Sequence, residues 1–94
     1  MFLGKRIREL REEKGLLQRQ LAAGLEVDTP MYSKIERGER RAKKEQVLKL
    51  AELFNTDKDE LLTLWLAGQI YDLVKDESHI NEAFKMVENK LKQQ

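Results

Sequence analysis

Gln18-Arg-Gln-Leu-Ala-Ala-Gly-Leu-Glu-Val-Asp-Thr-Pro-Met-Tyr-Ser-Lys-Ile-Glu-Arg-Gly38 holds two short helical patterns that meet at a tight break. The first covers about residues 18–24 and sets Leu21, Ala22 and Leu25 on one side. The second covers about residues 29–37 and sets Tyr32 and Ile35 on one side. Val27 lies in the break, where it plugs the angle between the two helices. Asp28 and Thr29 both suit a helix N-cap, because their side-chain oxygens accept backbone N–H groups that the first turn leaves unpaired. Pro30 biases Thr29 away from helical angles and favours Thr29 as the cap. Gly38 closes the second helix, since glycine takes a positive φ without penalty.

Working outward, Leu3, Ile7 and Leu10 recur at helical spacing and predict a first helix from Leu3 or Gly4 to Lys14, ended by Gly15. Beyond the central stretch, Val47, Leu50, Ala51 and Phe54 form the apolar stripe of a helix over about 44–54. Asn55-Thr56-Asp57 breaks it, and Thr56 with Asp59 resembles a capping box. A fifth helix is expected from about Asp57 past Tyr71 toward Lys75, and a sixth from Ser78. No strand-like alternation persists, so the chain reads as all-α.

Two helices joined by a short turn have the geometry of a helix-turn-helix. Gln18, Leu21-Ala22, Val27, Ser33 and Ile35-Glu36-Arg37-Gly38 stand in the order and spacing of a known family, with Ile7-Arg8-Glu9-Leu10-Arg11 before them and Leu50-Ala51 after. Over its first two-thirds the chain resembles the phage-repressor-type (Cro/repressor, XRE-like) helix-turn-helix family. The resemblance implies a five-helix DNA-binding domain over residues 1–62, with a C-terminal helical extension over 63–94 expected to dimerise. It implies that Thr29, Pro30, Ser33 and Lys34 point toward base edges, with Met31 alongside. Lys34 would donate to guanine O6 and N7, while Thr29, Pro30 and Met31 would offer apolar contact to thymine methyls.

The same resemblance gives Gln18 a phosphate to bond at the start of its helix, where free N–H groups add partial positive charge. Arg19 is expected to reach the same backbone, and Arg37, Arg40, Arg41 and Lys43 to line the phosphates beyond the reading helix. Arg11 is expected to pair with Glu36 and tie the first helix to the reading head. Three positions depart from the family. Glu26 stands where glycine is usual, so either Glu26 is left-handed, at a cost of roughly 1 kcal/mol, or Gly24 ends its helix early. Pro30 replaces a long polar reader, which leaves modest direct readout aided by dimer spacing and DNA shape. Ala42 stands where proline is frequent, which predicts a less stiff loop.

Composition sets the bounds. Ninety-four residues make one small domain, and 40% apolar residues suffice for a single helical core. There is no cysteine, which excludes disulfides and thiolate metal sites and fits a reducing cytoplasm. No apolar run is long enough to span a bilayer, and Lys5 and Arg6 come too early for a signal peptide. Net charge is only +1, but residues 1–45 hold 12 Lys and Arg against 8 Asp and Glu, and residues 46–94 hold 6 against 9. The basic half is the half carrying the helix-turn-helix, as nucleic-acid binding requires.

The fifth helix is apolar on more than one side, so its surplus needs a second partner. Leu66, Ile70 and Leu73, with Ile80, Phe84 and Val87 of the sixth helix, are expected to form a hairpin that joins two copies. Trp65 and Tyr71 read as packing residues. The partners expected are therefore a palindromic double-stranded DNA operator and a second copy of the chain, in a repressor or restriction-modification-type controller. The alternative is an antitoxin-like module whose C-terminal helices hold another protein. No nucleophile–base pair, glycine-rich phosphate loop or metal cluster is present, and His79 stands alone, so neither enzyme activity nor a cofactor is expected.

Overall fold

A computed structural model describes residues 2–94. Its helices are α1 (Phe2–Glu13), α2 (Gln18–Leu25), α3 (Thr29–Glu36), α4 (Lys44–Phe54), α5 (Lys58–Val74) and α6 (Ile80–Lys92). The described residues contain no strand. The fold is all-α, a repressor-like helical domain followed by one further helix.

Helices α1 to α4 all end in the same way. In each, a left-handed residue turns the chain so that its own N–H and that of the residue after it fold back onto the last carbonyls. The left-handed positions are Gly15, Glu26, Gly38 and Asn55. At the end of α2, Glu26 has φ 60°, its N–H bonds the Ala23 carbonyl at 3.1 Å, and the Val27 N–H bonds Ala22 at 3.0 Å. Helix α2 thus runs through Gly24 instead of ending there. Gly24 lies against α4, where a Cβ would have to displace the end of the Leu53 side chain.

Helix starts differ from expectation in three places. Asp28, not Thr29, caps α3, and its carboxylate accepts the Met31 N–H at 2.8 Å. That bond outweighs the bias that Pro30 places on Thr29, and Pro30 sits in the first turn where its missing N–H costs nothing. Asp57, not Thr56, caps α5 by accepting the Asp59 N–H at 3.0 Å. Ser78 does not start α6; His79, left-handed at φ 63°, precedes it without a side-chain cap.

The core lies between α1, α2, α3, α4 and the first half of α5. Ile7, Tyr32, Val47, Leu50, Phe54 and Leu61 are fully buried there, flanked by Leu10, Leu21 and Ile35. Burying one such side chain is worth about 1.5–3 kcal/mol, so the helical stripes hold α3 firmly in place. Gly4 lets α1 lie directly on the C-terminal end of α3, because any Cβ there would collide with the Glu36 carbonyl. Leu62, Leu64 and Trp65 carry α5 past residue 62 along the same core.

Helix α6 stands apart. It buries no residue, and none of the close helix pairings involves it. The radius of gyration, 15.2 Å, exceeds the ~12 Å of a compact chain this long. Within one chain α6 leaves the surplus apolar side of α5 uncovered at Leu66, Ile70 and Leu73. The apolar stripe of α6 is strong, but its side chains Phe84, Val87 and Leu91 face outward.

Candidate nucleic-acid interface

Helix α3 presents one face to the core and one to solvent. Tyr32, Ile35 and Glu36 are buried. Of the five residues expected to read bases, Thr29, Pro30 and Lys34 are open to solvent and Met31 and Ser33 only partly so.

Behind that face sits a charged anchor. Arg11 donates from Nε to Glu36 Oε2 at 2.8 Å and from Nη2 to Oε1 at 3.0 Å. The side chains are only 15% and 3% exposed. Burial opposes ionisation of Glu36, but the hydrogen bonds from Arg11 and Gln18 and the charge of Arg11 prevail and hold its carboxyl below the usual range. The hydrogen bond to Glu36 in turn raises Arg11 further above its ordinary value. Burial, and then the neighbouring Glu36 carboxylate, push the Tyr32 phenol far up.

Gln18 joins the anchor. Its Nε2 donates to Glu36 Oε1 at 3.2 Å. An amide nitrogen carries two hydrogens, so one holds Glu36 while the other stays available. The start of α2 is thereby fixed against the end of α3. Arg19 beside it is exposed.

The segment after α3 carries Arg40, Arg41 and Lys43, all exposed. Ala42 between them is buried, and the Trp65 indole Nε1 donates to its carbonyl at 2.7 Å. The loop is thus pinned to α5 despite lacking proline. Sequence reasoning read Trp65 as packing alone. The available signal was its N–H, which needs an acceptor when an indole is partly buried.

Arg37 is placed differently from the other cations. It donates from Nε and Nη2 to Glu39 at 2.7 and 3.3 Å, and from Nη1 to Ser33 Oγ at 2.6 Å. The hydrogen bond with Arg37 holds the exposed Glu39 carboxyl below its ordinary range. The expected phosphate cation and the expected base reader are therefore linked, with Glu39 as a third member that the sequence did not suggest.

Residues 7–61 match the model of a helix-turn-helix family. The chain belongs to this family, of the phage-repressor, XRE-like type. It is 37% identical over 62 residues to the HTH-type transcriptional regulator ImmR of Bacillus subtilis (strain 168), an alignment covering 66% of this chain and 49% of that protein. The chain thus spans about half the length of the curated relative it matches. No solved structure matches. The family is a DNA-binding one and not an enzyme family. No helix among the described residues is long and apolar enough to cross a membrane.

Proposed function

We propose that the protein is a transcriptional regulator that binds double-stranded DNA sequence-specifically as a homodimer. The observation that carries this is the outer face of α3. Thr29, Pro30, Met31, Ser33 and Lys34 lie together on a helix locked to the core by Tyr32, Ile35 and the Arg11–Glu36 fork. Gln18 and Arg19 on one side, and Arg40, Arg41 and Lys43 on the other, offer donors where a backbone flanking that helix would pass. Phosphate contacts of this kind position a protein, while base contacts give it specificity. The printed name of the Bacillus relative supports the regulatory reading.

Pairing is inferred from apolar side chains that the monomer leaves uncovered. Leu66, Ile70 and Leu73 are exposed along α5, and Phe84 and Val87 along α6, with Ile80 half-exposed at its start. Two heads held about one DNA turn apart, ~34 Å, would bind a palindrome. A repressor or a restriction-modification-type controller fits this build. The exposed stripe of α6 equally favours a second reading, an antitoxin-like module that holds another protein and binds DNA secondarily.

Selection from random duplexes followed by binding across a salt series tests the proposal. Enrichment of a palindrome by a pure homodimer, with a salt slope of several phosphates, is expected. A monomer that selects no site and becomes stable only with a second protein would favour the module instead.

A further inference from the structure

Two cationic side chains outside the helix-turn-helix stand together beside the end of α3. Lys5 and Arg8 stand three residues apart on α1 and so share a face. With Phe2, Glu36, Arg37 and Tyr71 they line one depression of about 700 Å³. Lys5, Arg8 and Arg37 are exposed. The one carboxylate in the lining, Glu36, is already held by Arg11. Arg8 has one weak pairing within its own helix, to Glu12 at 3.4 Å. Arg37 is held by Glu39, so the free positive charge in the lining is that of Lys5 and Arg8, which stand with the edge-to-face pair of Phe2 and Tyr71, ring centroids 5.8 Å apart.

Its position relative to α3 gives this strip a partner. Arg37 follows Ser33 by four residues and Lys34 by three, so it continues their side of the helix one turn further on. The depression opens from Arg37 onto α1. Helix α1 is fixed there by Gly4 under the Glu36 carbonyl and by the Arg11 fork. The strip therefore moves rigidly with the reading face. A nucleic-acid strand leaving α3 past Arg37 meets Lys5 and Arg8 next, and a row of single positive charges suits evenly spaced phosphates.

We propose that Lys5 and Arg8 extend the DNA interface onto α1 and contact backbone phosphates just beyond the C-terminal end of α3. The proposal rests on the regulator reading above. It adds two contacts that position the protein and leave base preference unchanged.

The test measures the wild-type chain, a Lys5→Gln/Arg8→Gln double variant and a Lys49→Gln control on the duplex selected by the wild type. Lys49 is an exposed cation on α4 outside the depression. Both α1 substitutions are on exposed side chains, so melting temperatures should match. The double variant is expected to lose about two units of salt slope, at about 0.9 per phosphate, with the same preferred site. Backbone-ethylation interference should lose phosphates at the edge of the contacted region. The control should keep the wild-type slope. A double variant with the full wild-type slope overturns the surface while leaving the regulator reading intact. The same retained slope with lost binding to polyglutamate overturns it too, and assigns the strip to an acidic protein segment. A wild-type chain that selects no duplex overturns the regulator reading itself, and the surface with it.

Discussion

The Arg11 guanidinium commits every nitrogen inside the fold, two to the Glu36 carboxylate and Nη1 to the Leu16 carbonyl at 3.2 Å. One side chain thus joins α1, the turn before α2 and the end of α3. Desolvating the two charges offsets much of their attraction, so the fork specifies geometry more than it adds stability. Removing one partner is another matter, because it strands a buried charge. Arg11→Ala is expected to lower stability by about 3 kcal/mol. An Arg11→Met/Glu36→Leu double variant should recover much of that loss. Urea denaturation of both checks this, and a double variant no more stable than Arg11→Ala would sink the idea.

The same cluster sets the pH limits. Glu36 titrates lower in the fold than in the open chain, so its contribution is present above about the ordinary glutamate value of 4.5. It is lost as pH falls through the lower folded value. Tyr32 is shifted the other way. Its folded value lies above the ordinary 10.0, so its contribution holds below pH 10 and is lost as pH rises beyond it. Stability measured against pH should show a plateau with one acid and one alkaline limb. Tyr32→Phe should flatten the alkaline limb and leave the acid one.

Glu26 is left-handed without being glycine. Its Cβ meets the following carbonyl, a cost of roughly 1 kcal/mol in this conformation. Glu26 is exposed, and none of the side-chain hydrogen bonds or ion pairs found in the fold involves it. Glu26→Gly should therefore raise stability by about 0.5–1 kcal/mol, the strain relieved exceeding the entropy added to the open chain. A lower melting temperature for this variant would show that the turn is unstrained.

Which parts of this were readable in the chain follows from how local their causes are. The stripes Leu3–Ile7–Leu10 and Val47–Leu50–Phe54 name their own helices, because burial and helical spacing coincide. Gly15 and Gly38 mark their own ends. The cap of α3 was ambiguous because Asp28 and Thr29 carry equivalent oxygens, and only the bond to Met31 separates them. The start of α6 was misplaced because His79 takes a turn that its type does not advertise. The stripe Ile80–Phe84–Val87–Leu91 is equally suited to its own α5 or to another chain, so its spacing could not say that it stays uncovered. For contacts that cross the fold the local signal is incomplete: the Trp65 N–H calls for an acceptor without naming Ala42, and nothing near Gln18 points to Glu36.

Trp65 connects the far end of the core to the basic loop. Trp65→Phe keeps most of the ring but removes the donor to the Ala42 carbonyl. The expected loss is about 1 kcal/mol, or about 5 °C in melting temperature for a domain of this size. Arg41 and Lys43 flank Ala42, so DNA affinity should fall along with it. A variant with the lower melting temperature but unchanged affinity would separate the loop's order from its role at the backbone.

Arg37 is already answered by Glu39, whose two oxygens take the guanidinium fork as a phosphate would. A phosphate approaching Arg37 must displace that carboxylate or forgo the contact. Glu39→Gln removes the competing charge and leaves the side chain nearly the same size. On the duplex selected by the wild type, the salt slope should then steepen by about 0.9, the increment for one added phosphate contact. Because freed Arg37 would let go of Ser33 Oγ, discrimination at one base position of each half-site should weaken at the same time. Tighter but less selective binding is the expected signature. An unchanged slope with unchanged discrimination would mean that Arg37 stays with Glu39 on DNA and never serves a phosphate.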